Sequence, residues 1–133
     1  FIERAIALAH EKPRRTHFKM AVECQTQPGR CIGYVAFDAL DGIQPDIGYL
    51  VHPKWQGKGI ATEAMRGLMV YLLAQRPDIL DIGLTVHPDN IASRRVAEKL
   101  SFREVGHKSF ETLRGVEPRI IYETHRRRVL SCN

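Results

Sequence analysis

A short glycine-containing loop is the part of this sequence best suited to chemistry. The residues Gln56-Gly57-Lys58-Gly59-Ile60-Ala61 lie between an apolar run that ends at Val51 and a long stretch with helical periodicity. Glycine permits backbone angles and close approaches that a side chain would block. A loop that leads directly into a helix presents several backbone N–H groups together, next to the positive end of the helix dipole. The segment therefore predicts a phosphate or pyrophosphate site, and a plain turn that needs small residues is the alternative.

Two common phosphate-binding motifs do not fit this loop. The Walker motif requires Gly-Lys followed by Ser or Thr, whereas Lys58 is followed by Gly59. The dinucleotide fingerprint requires three spaced glycines, and its third position is Ala61, out of register.

The elements around the loop follow from periodicity and from turn residues. The apolar spacing predicts a mixed α/β order. The predicted helices are Phe1 to Lys12, Gly59 to Gln75 and Asn90 to Leu100, and the predicted strands are Phe18 to Gln25, Cys31 to Leu40, Asp46 to Val51, Ile79 to Val86, Phe102 to Phe110 and Ile120 to His125. The first two strands are expected to form an antiparallel hairpin. The strands that contain Leu50 and Leu84 are expected to be parallel neighbours, joined by a right-handed crossover through the intervening helix.

Composition indicates one globular domain. The chain has 133 residues, of which 44% are hydrophobic and 26% charged. No apolar run approaches the roughly 20 residues of a membrane-spanning helix, and the first residues do not resemble a signal peptide. Three cysteines without metal spacing predict reduced thiols, no metal site and a cytoplasmic location.

The charge balance raises a further class of partner. A formal net charge of +5 favours nucleic acid or a phosphorylated ligand. The sequence has neither an aromatic RNA-binding signature nor a recognition-helix pattern, which disfavours nucleic acid. The triplet Arg126-Arg127-Arg128 contributes to the charge and is expected to be solvated.

Two motifs together resemble one enzyme family. The loop resembles the acetyl-CoA pyrophosphate loop of the GNAT superfamily of N-acetyltransferases, Gln/Arg-x-x-Gly-x-Gly/Ala, at every position. About thirty residues later, Asn90-Ile91-Ala92-Ser93 and Glu98-Lys99-Leu100-Ser101-Phe102 resemble the second cofactor segment of that family. Ser93 with Ile47-Gly48-Tyr49 is similar to the branch that contains Rim-type ribosomal-protein N-terminal acetyltransferases.

The resemblance implies a fold and an activity. It implies a mostly antiparallel sheet with a parallel, splayed central strand pair, flanked by helices, in a single acetyltransferase domain over residues 1–133 that lacks the first strand and first helix of the family. It also implies acetyl transfer from acetyl-CoA to a primary amine by direct attack in a ternary complex. The acceptor is then a small molecule or a protein N-terminus, no membrane takes part, and a homodimer is left open. A catalytically silent acyl-CoA-binding regulatory module is the alternative, because Ala97 stands where many members have a tyrosine.

The resemblance also assigns roles to particular residues. Asp46 is the candidate general base, although it could equally be a turn aspartate after Pro45, and Ser93 is the candidate proton donor to the sulfur. Asn90 is expected to reach the pantetheine arm, to cap its helix, or both. Ser101 replaces the usual glycine, so a left-handed backbone conformation at the end of this helix would be less favourable. The remaining cofactor residues are the strand residues Tyr49, Leu50 and Val51 and the loop residues Gln56, Gly57, Lys58, Gly59, Ile60 and Ala61.

Overall fold

The computed structural model describes residues 2–7, 17–38 and 45–131 of the chain. The helices of these ranges are α1 (Ile60–Gln75), α2 (Ile91–Lys99) and α3 (Arg126–Ser131), with one 3-10 turn at Pro53–Trp55. Their strands are β1 (Ile2–Ala7), β2 (His17–Cys24), β3 (Cys31–Asp38), β4 (Asp46–Val51), β5 (Asp81–Val86), β6 (Arg103–Thr112) and β7 (Gly115–His125).

The strands form one sheet with a single parallel step. Within the described ranges its order is β1-β2-β3-β4-β5-β7-β6, and every neighbouring pair is antiparallel except β4 with β5. The hairpin of β2 and β3 and the parallel neighbours β4 and β5, with α1 between them in the chain, are confirmed. The expected fold class is therefore confirmed.

The predicted N-terminal helix is wrong. Ile2–Ala7 forms strand β1, which pairs antiparallel with β2. The spacing of Ile2, Ala5 and Ile6 fits a helical face, but the outer edge of β2 offers a row of backbone partners that local periodicity does not reveal. Residues 1 and 8–12 of that prediction lie outside the described residues.

Helix α1 supplies one wall of the core. Its buried residues recur at helical spacing, as the sequence predicted, and they pack in one hydrophobic cluster with the inner faces of the strands. These residues are Ile60, Ala64, Met65, Leu68, Met69, Leu72 and Leu73. No helix in the described part of the chain is long and apolar enough to cross a membrane.

The pairing of β4 with β5 stops almost as soon as it starts. The ladder holds one residue pair, Asp46 with Gly83, beside a hydrogen bond of 2.7 Å from the Gly83 N–H to the Pro45 carbonyl. Both strands then continue to Val51 and Val86 without further pairing to each other, while β4 stays paired with β3 and β5 with β7. The predicted splay of the central strands is confirmed, and it opens a gap in the middle of the sheet.

Ser101 ends α2 in the left-handed region, with φ of 64°. The Phe102 N–H donates to the Ala97 carbonyl over 2.9 Å, and the Ser101 N–H donates to the Glu98 carbonyl over 3.0 Å. These two bonds make a Schellman motif. The left-handed cap that glycine normally provides is therefore kept, with a serine under backbone strain.

The arginine triplet is not simply solvated. The Arg126 guanidinium donates to the carbonyls of Leu73 (2.6 Å), Arg76 (3.2 Å) and Ile79 (2.7 Å), at and just beyond the end of α1. The last carbonyls of a helix lack partners within the helix, and a cation there also complements the helix dipole. Arg128 donates to the Ser101 carbonyl over 3.2 Å. The short helix α3, which the sequence analysis did not predict, thus ties together the ends of α1 and α2.

We expect Arg126→Ala to lower the free energy of unfolding by about 2–3 kcal/mol, because it removes charged hydrogen bonds to several carbonyls at once. Urea unfolding measures the change. Arg127→Ala, at the exposed neighbouring position, is the matched control and should stay within about 0.5 kcal/mol of the wild type. Equal effects of the two substitutions would show that the Arg126 contacts do not stabilise the fold.

We expect Ser101→Gly to raise the free energy of unfolding by about 0.5–1 kcal/mol, because relief of left-handed strain exceeds the entropy cost of a glycine. Ser109→Gly is the control, since Ser109 lies in strand β6 without a positive φ, and it should destabilise. Thermal unfolding of the two variants checks the sign, and a destabilised Ser101→Gly protein would contradict the role of the cap.

Candidate active site

Two cavities flank the gap between β4 and β5. The first, of about 560 Å³, lies between the end of β4, the glycine loop and helices α1 and α2. Its lining includes Tyr49, Leu50, Val51, Gln56, Gly57, Gly59, Ile60, Ala61, Asn90 and Ser93, together with Trp55, Thr62, Ala92, Arg95, Val96 and Lys99. The structure thus brings together all the predicted cofactor residues except Lys58, which is not part of this lining.

The second cavity borders the same gap. It has a volume of about 470 Å³ and is lined by residues of β3, β4 and β5, by the start of α2 and by Arg119 of β7. Both predicted catalytic residues, Asp46 and Ser93, line it. Three residues, Tyr49, Asn90 and Ser93, line both cavities. The two spaces therefore meet where β4 faces the first turn of α2.

The loop has the backbone that a phosphate site requires. Gly57 and Gly59 have φ of 76° and 78°, and a Cβ built on either residue would meet nothing within 4 Å. Gly59 is also the N-cap of α1 and supplies no side-chain hydrogen bond to the helix. The first N–H groups of a helix have no partner within it. The positive end of α1 is thus left open toward the first cavity.

Gln56 and Lys58 are already engaged within the protein. The Gln56 side-chain amide donates to the Val51 carbonyl over 2.9 Å, and its backbone N–H donates to the Pro53 carbonyl over 3.3 Å. The Lys58 ammonium lies 5.7 Å from the ring centre of Trp55, which packs against the core. These contacts tie the loop to the end of β4.

The start of α2 is fixed by Asn90. Its side-chain oxygen accepts a hydrogen bond from the Ser93 N–H over 3.1 Å, so the predicted helix cap is confirmed. The Ser93 hydroxyl lies 2.8 Å from the Tyr49 hydroxyl, and this contact joins α2 to β4 across the gap. Ala97, one turn later, is fully buried and lines neither cavity.

Two basic residues of the first cavity were missed in the sequence analysis. Arg95 and Lys99 lie four residues apart on exposed positions of α2, and both line this cavity. Residues at this spacing share one helix face. That spacing was the available signal, but the sequence does not show that the face borders the glycine loop.

The second cavity contains a pair of carboxylates. Asp38 on β3 pairs directly with Asp46 on β4, so both side chains project from the same face of the sheet. Burial, and next the negative charge of Asp38, raise the pKa of Asp46 to about 6. Asp46 can therefore exchange a proton close to neutral pH. The sequence did not single out Asp38, because only the pairing of β3 with β4 brings it next to Asp46.

Other polar groups of the second cavity have structural partners. His87 accepts a hydrogen bond from the Asp89 N–H at Nδ1 over 3.1 Å. Arg119 donates to Glu117 over 2.9 Å. Outside this cavity, His52 accepts from the Lys54 N–H over 3.2 Å, so each of these histidines has a partner in the adjoining turn. Among the described residues, no group of three or more His, Cys, Asp or Glu side chains is arranged to hold a metal ion.

Known proteins resemble this chain in sequence or in fold. An uncharacterized N-acetyltransferase of Bacillus subtilis (strain 168), YnaD, is 33% identical over 76 residues, which are 56% of this chain and 44% of that protein. The structure of RimJ from Mycobacterium smegmatis in complex with CoA-disulfide superposes with a TM-score of 0.72 at 23% identity, over 88% of this chain and 60% of that one. The structure of RimL, a ribosomal L7/L12 alpha-N-protein acetyltransferase, gives a TM-score of 0.70 at 27% identity, over 83% and 70%.

Rim-type ribosomal-protein acetyltransferases are thus among the structural neighbours of this chain. The chain spans less than half the length of the Bacillus subtilis relative and about three fifths of the RimJ chain. Residues 1–103 match the family model of the acetyltransferase (GNAT) domain. That match covers most of the chain and includes both cofactor motifs, and the protein therefore belongs to the GNAT family of acetyltransferases.

Proposed function

We propose that the protein is an N-acetyltransferase that moves the acetyl group of acetyl-CoA to a primary amine by direct attack in a ternary complex. The observation that carries this proposal is the meeting of two cavities at Tyr49, Asn90 and Ser93. One cavity has the open helix terminus and basic residues that suit a phosphorylated donor. The other contains a carboxylate that exchanges protons near neutral pH.

The first cavity fits the donor by its chemistry. The open N–H groups at the start of α1 would receive the pyrophosphate, where the loop glycines leave room for phosphate oxygens. Gln56 would hold the loop in position rather than contact the ligand, and Arg95 and Lys99 would add positive charge at the rim. The pantetheine arm contains amide groups, which suit the side of β4 that faces β5, where no pairing with β5 follows Asp46.

The second cavity fits an amine acceptor. Asp46 would accept a proton from the attacking nitrogen as the C–N bond forms and the C–S bond breaks. A carboxylate whose pKa is about 6 is ionised at pH 7 and still basic enough for this transfer. Asp38 beside it would add negative charge that attracts an ammonium group.

A catalytically silent acyl-CoA-binding module is the second candidate. Ala97 favours it, because this buried methyl group cannot donate the proton that a tyrosine at this position would provide. Release of free thiol from acetyl-CoA separates the two functions. The acceptors to be tested are a peptide with a free N-terminus, spermidine, an aminoglycoside and a free amino acid. We expect acceptor-dependent thiol release with at least one of them, and acetyl-CoA binding without any release would favour the silent module.

We expect Gly59→Ala to weaken acetyl-CoA binding roughly 10–100-fold, because the added methyl group would occupy the space proposed for phosphate oxygens and disturb charge-assisted hydrogen bonds. Isothermal titration calorimetry measures the affinity. The left-handed φ of 78° at Gly59 also predicts a loss of about 1–2 kcal/mol in unfolding free energy.

Gly67→Ala is the matched control for that variant. Gly67 lies inside α1 without a positive φ, and the space that a Cβ would take there is open, so alanine should stabilise the protein by about 0.5–1 kcal/mol. The double variant should regain stability but not affinity. If Gly67→Ala restored acetyl-CoA binding, the Gly59→Ala defect would be one of folding, and the loop would not be the phosphate site.

We expect Asp46→Asn to lower kcat by about 10²–10⁴-fold while acetyl-CoA binding is kept, because an amide cannot accept the proton. In the wild type, activity should rise with pH around pH 6, because the carboxylate form is required. This rise should vanish in the variant, and a pH–rate profile with the best acceptor of the panel measures it. Near-normal kcat with the same rise would assign the base to another group.

Asp38→Asn gives a second test of the same pair. The charge of Asp38 is one cause of the raised pKa of Asp46, so its removal should move the rise in activity to lower pH without abolishing it. A rise that stays in place would mean that Asp38 does not act on the catalytic carboxylate.

A further inference from the structure

The hydrogen bond between Tyr49 and Ser93 connects two elements that the gap in the sheet otherwise separates. The two hydroxyl oxygens lie 2.8 Å apart although the residues are 44 positions apart in the chain, and either oxygen could be the donor. The inference drawn from it rests on the proposed function and concerns the proton that the leaving thiolate must receive.

Other contacts fix the positions of Tyr49 and Ser93. The Tyr49 ring packs against the hydrophobic core beside β3, where its strand partner is Val35. Ser93 lies in the first turn of α2, and its N–H is bound by the Asn90 cap over 3.1 Å. The hydrogen bond to Tyr49 therefore fixes the orientation of the Ser93 hydroxyl, while Ser93 still borders both cavities.

The position of these hydroxyls is unique within the described residues. Thr62 lines only the first cavity and Thr85 only the second, whereas Tyr49 and Ser93 line both. The thioester must lie where the two cavities meet, because the donor occupies one and the acceptor approaches from the other. The sulfur is therefore expected beside this hydroxyl pair.

We propose that Tyr49 is a positioning residue that directs the Ser93 proton to the sulfur of coenzyme A and replaces that proton through their hydrogen bond. Residue 97 is an alanine, so helix α2 offers no phenol of its own one turn beyond Ser93. The phenol comes instead from strand β4 and acts on the sulfur through Ser93.

The step balances in protons and electrons. The amine nitrogen forms the C–N bond to the acetyl carbon, the C–S bond breaks, and its electron pair stays on the sulfur. The sulfur takes the proton of the Ser93 hydroxyl, and the Ser93 oxygen takes the proton of the Tyr49 hydroxyl. The amine gives up one proton to Asp46, and exchange with water returns Asp46 and Tyr49 to their starting states.

The experiment uses coenzyme A itself as the probe and does not depend on turnover. Coenzyme A labelled with ¹³C at the carbon next to sulfur is bound to the wild type, and its thiol is titrated by NMR. Hydrogen bonds to the thiolate form favour it and lower the thiol pKa. We expect Tyr49→Phe and Ser93→Ala each to raise the pKa of the bound thiol by about one unit. The double variant should show no more than the larger single effect, because both substitutions remove the same chain of donors.

Tyr34→Phe is the matched control, since Tyr34 lines neither cavity and its ring lies under the Lys19 ammonium; it should leave the thiol pKa unchanged. With an active acceptor, Tyr49→Phe should lower kcat and leave the KM for acetyl-CoA unchanged, whereas a merely structural defect would also raise that KM.

Three outcomes overturn the inference. A thiol pKa that rises in Ser93→Ala but not in Tyr49→Phe would remove Tyr49 from the proton path. A thiol pKa that neither variant changes would remove both hydroxyls from the sulfur. Failure of the folded wild type to bind coenzyme A at all would refute the proposed function, on which the inference rests.

Discussion

The divergence of β4 from β5 governs how the other elements of the protein are arranged. Everywhere else in the described sheet, neighbouring strands continue their ladders over several residues, but here the ladder holds only Asp46 with Gly83. Peptide groups that leave a ladder need other partners. A ligand with its own amide groups would satisfy that need, which is why we propose that the break in the sheet is the binding site.

The elements around the gap hold it open. A Cβ on Gly33 would collide with the Leu50 carbonyl, so this glycine lets β4 pack directly against β3 at the end that diverges from β5. On the other side, the hydrogen bond between Tyr49 and Ser93 sets the distance from β4 to α2. Arg126 binds the end of α1, the helix that connects β4 to β5. The gap is thus framed by covalent connection, close packing and hydrogen bonds together.

Features carried by local sequence were predictable, and those that depend on distant partners were not. Strand β4 was predicted with its observed bounds, because proline flanks it on both sides and the glycine loop follows. Strand β1 was mistaken for a helix because its apolar spacing fits a helical face, whereas its pairing with the distant strand β2 determines its structure. The contacts of Arg126 and the pair of Tyr49 with Ser93 span 44 to 53 positions, so no window of sequence contains both partners. The sequence shows that Tyr49 and Ser93 carry hydroxyls and that Arg126 carries a charge, but only the fold shows which groups they contact.

The proposed function requires coenzyme A to lie in the gap between β4 and β5, with its phosphates at the start of α1. A crystal structure of the protein grown with coenzyme A is the decisive measurement. We expect electron density for the pyrophosphate against Gly57 to Ala61, for the pantetheine arm along Tyr49 to Val51, and for the sulfur within hydrogen-bond distance of Ser93. Density for coenzyme A elsewhere on the surface, or a gap closed by further pairing of β4 with β5, would contradict the proposal.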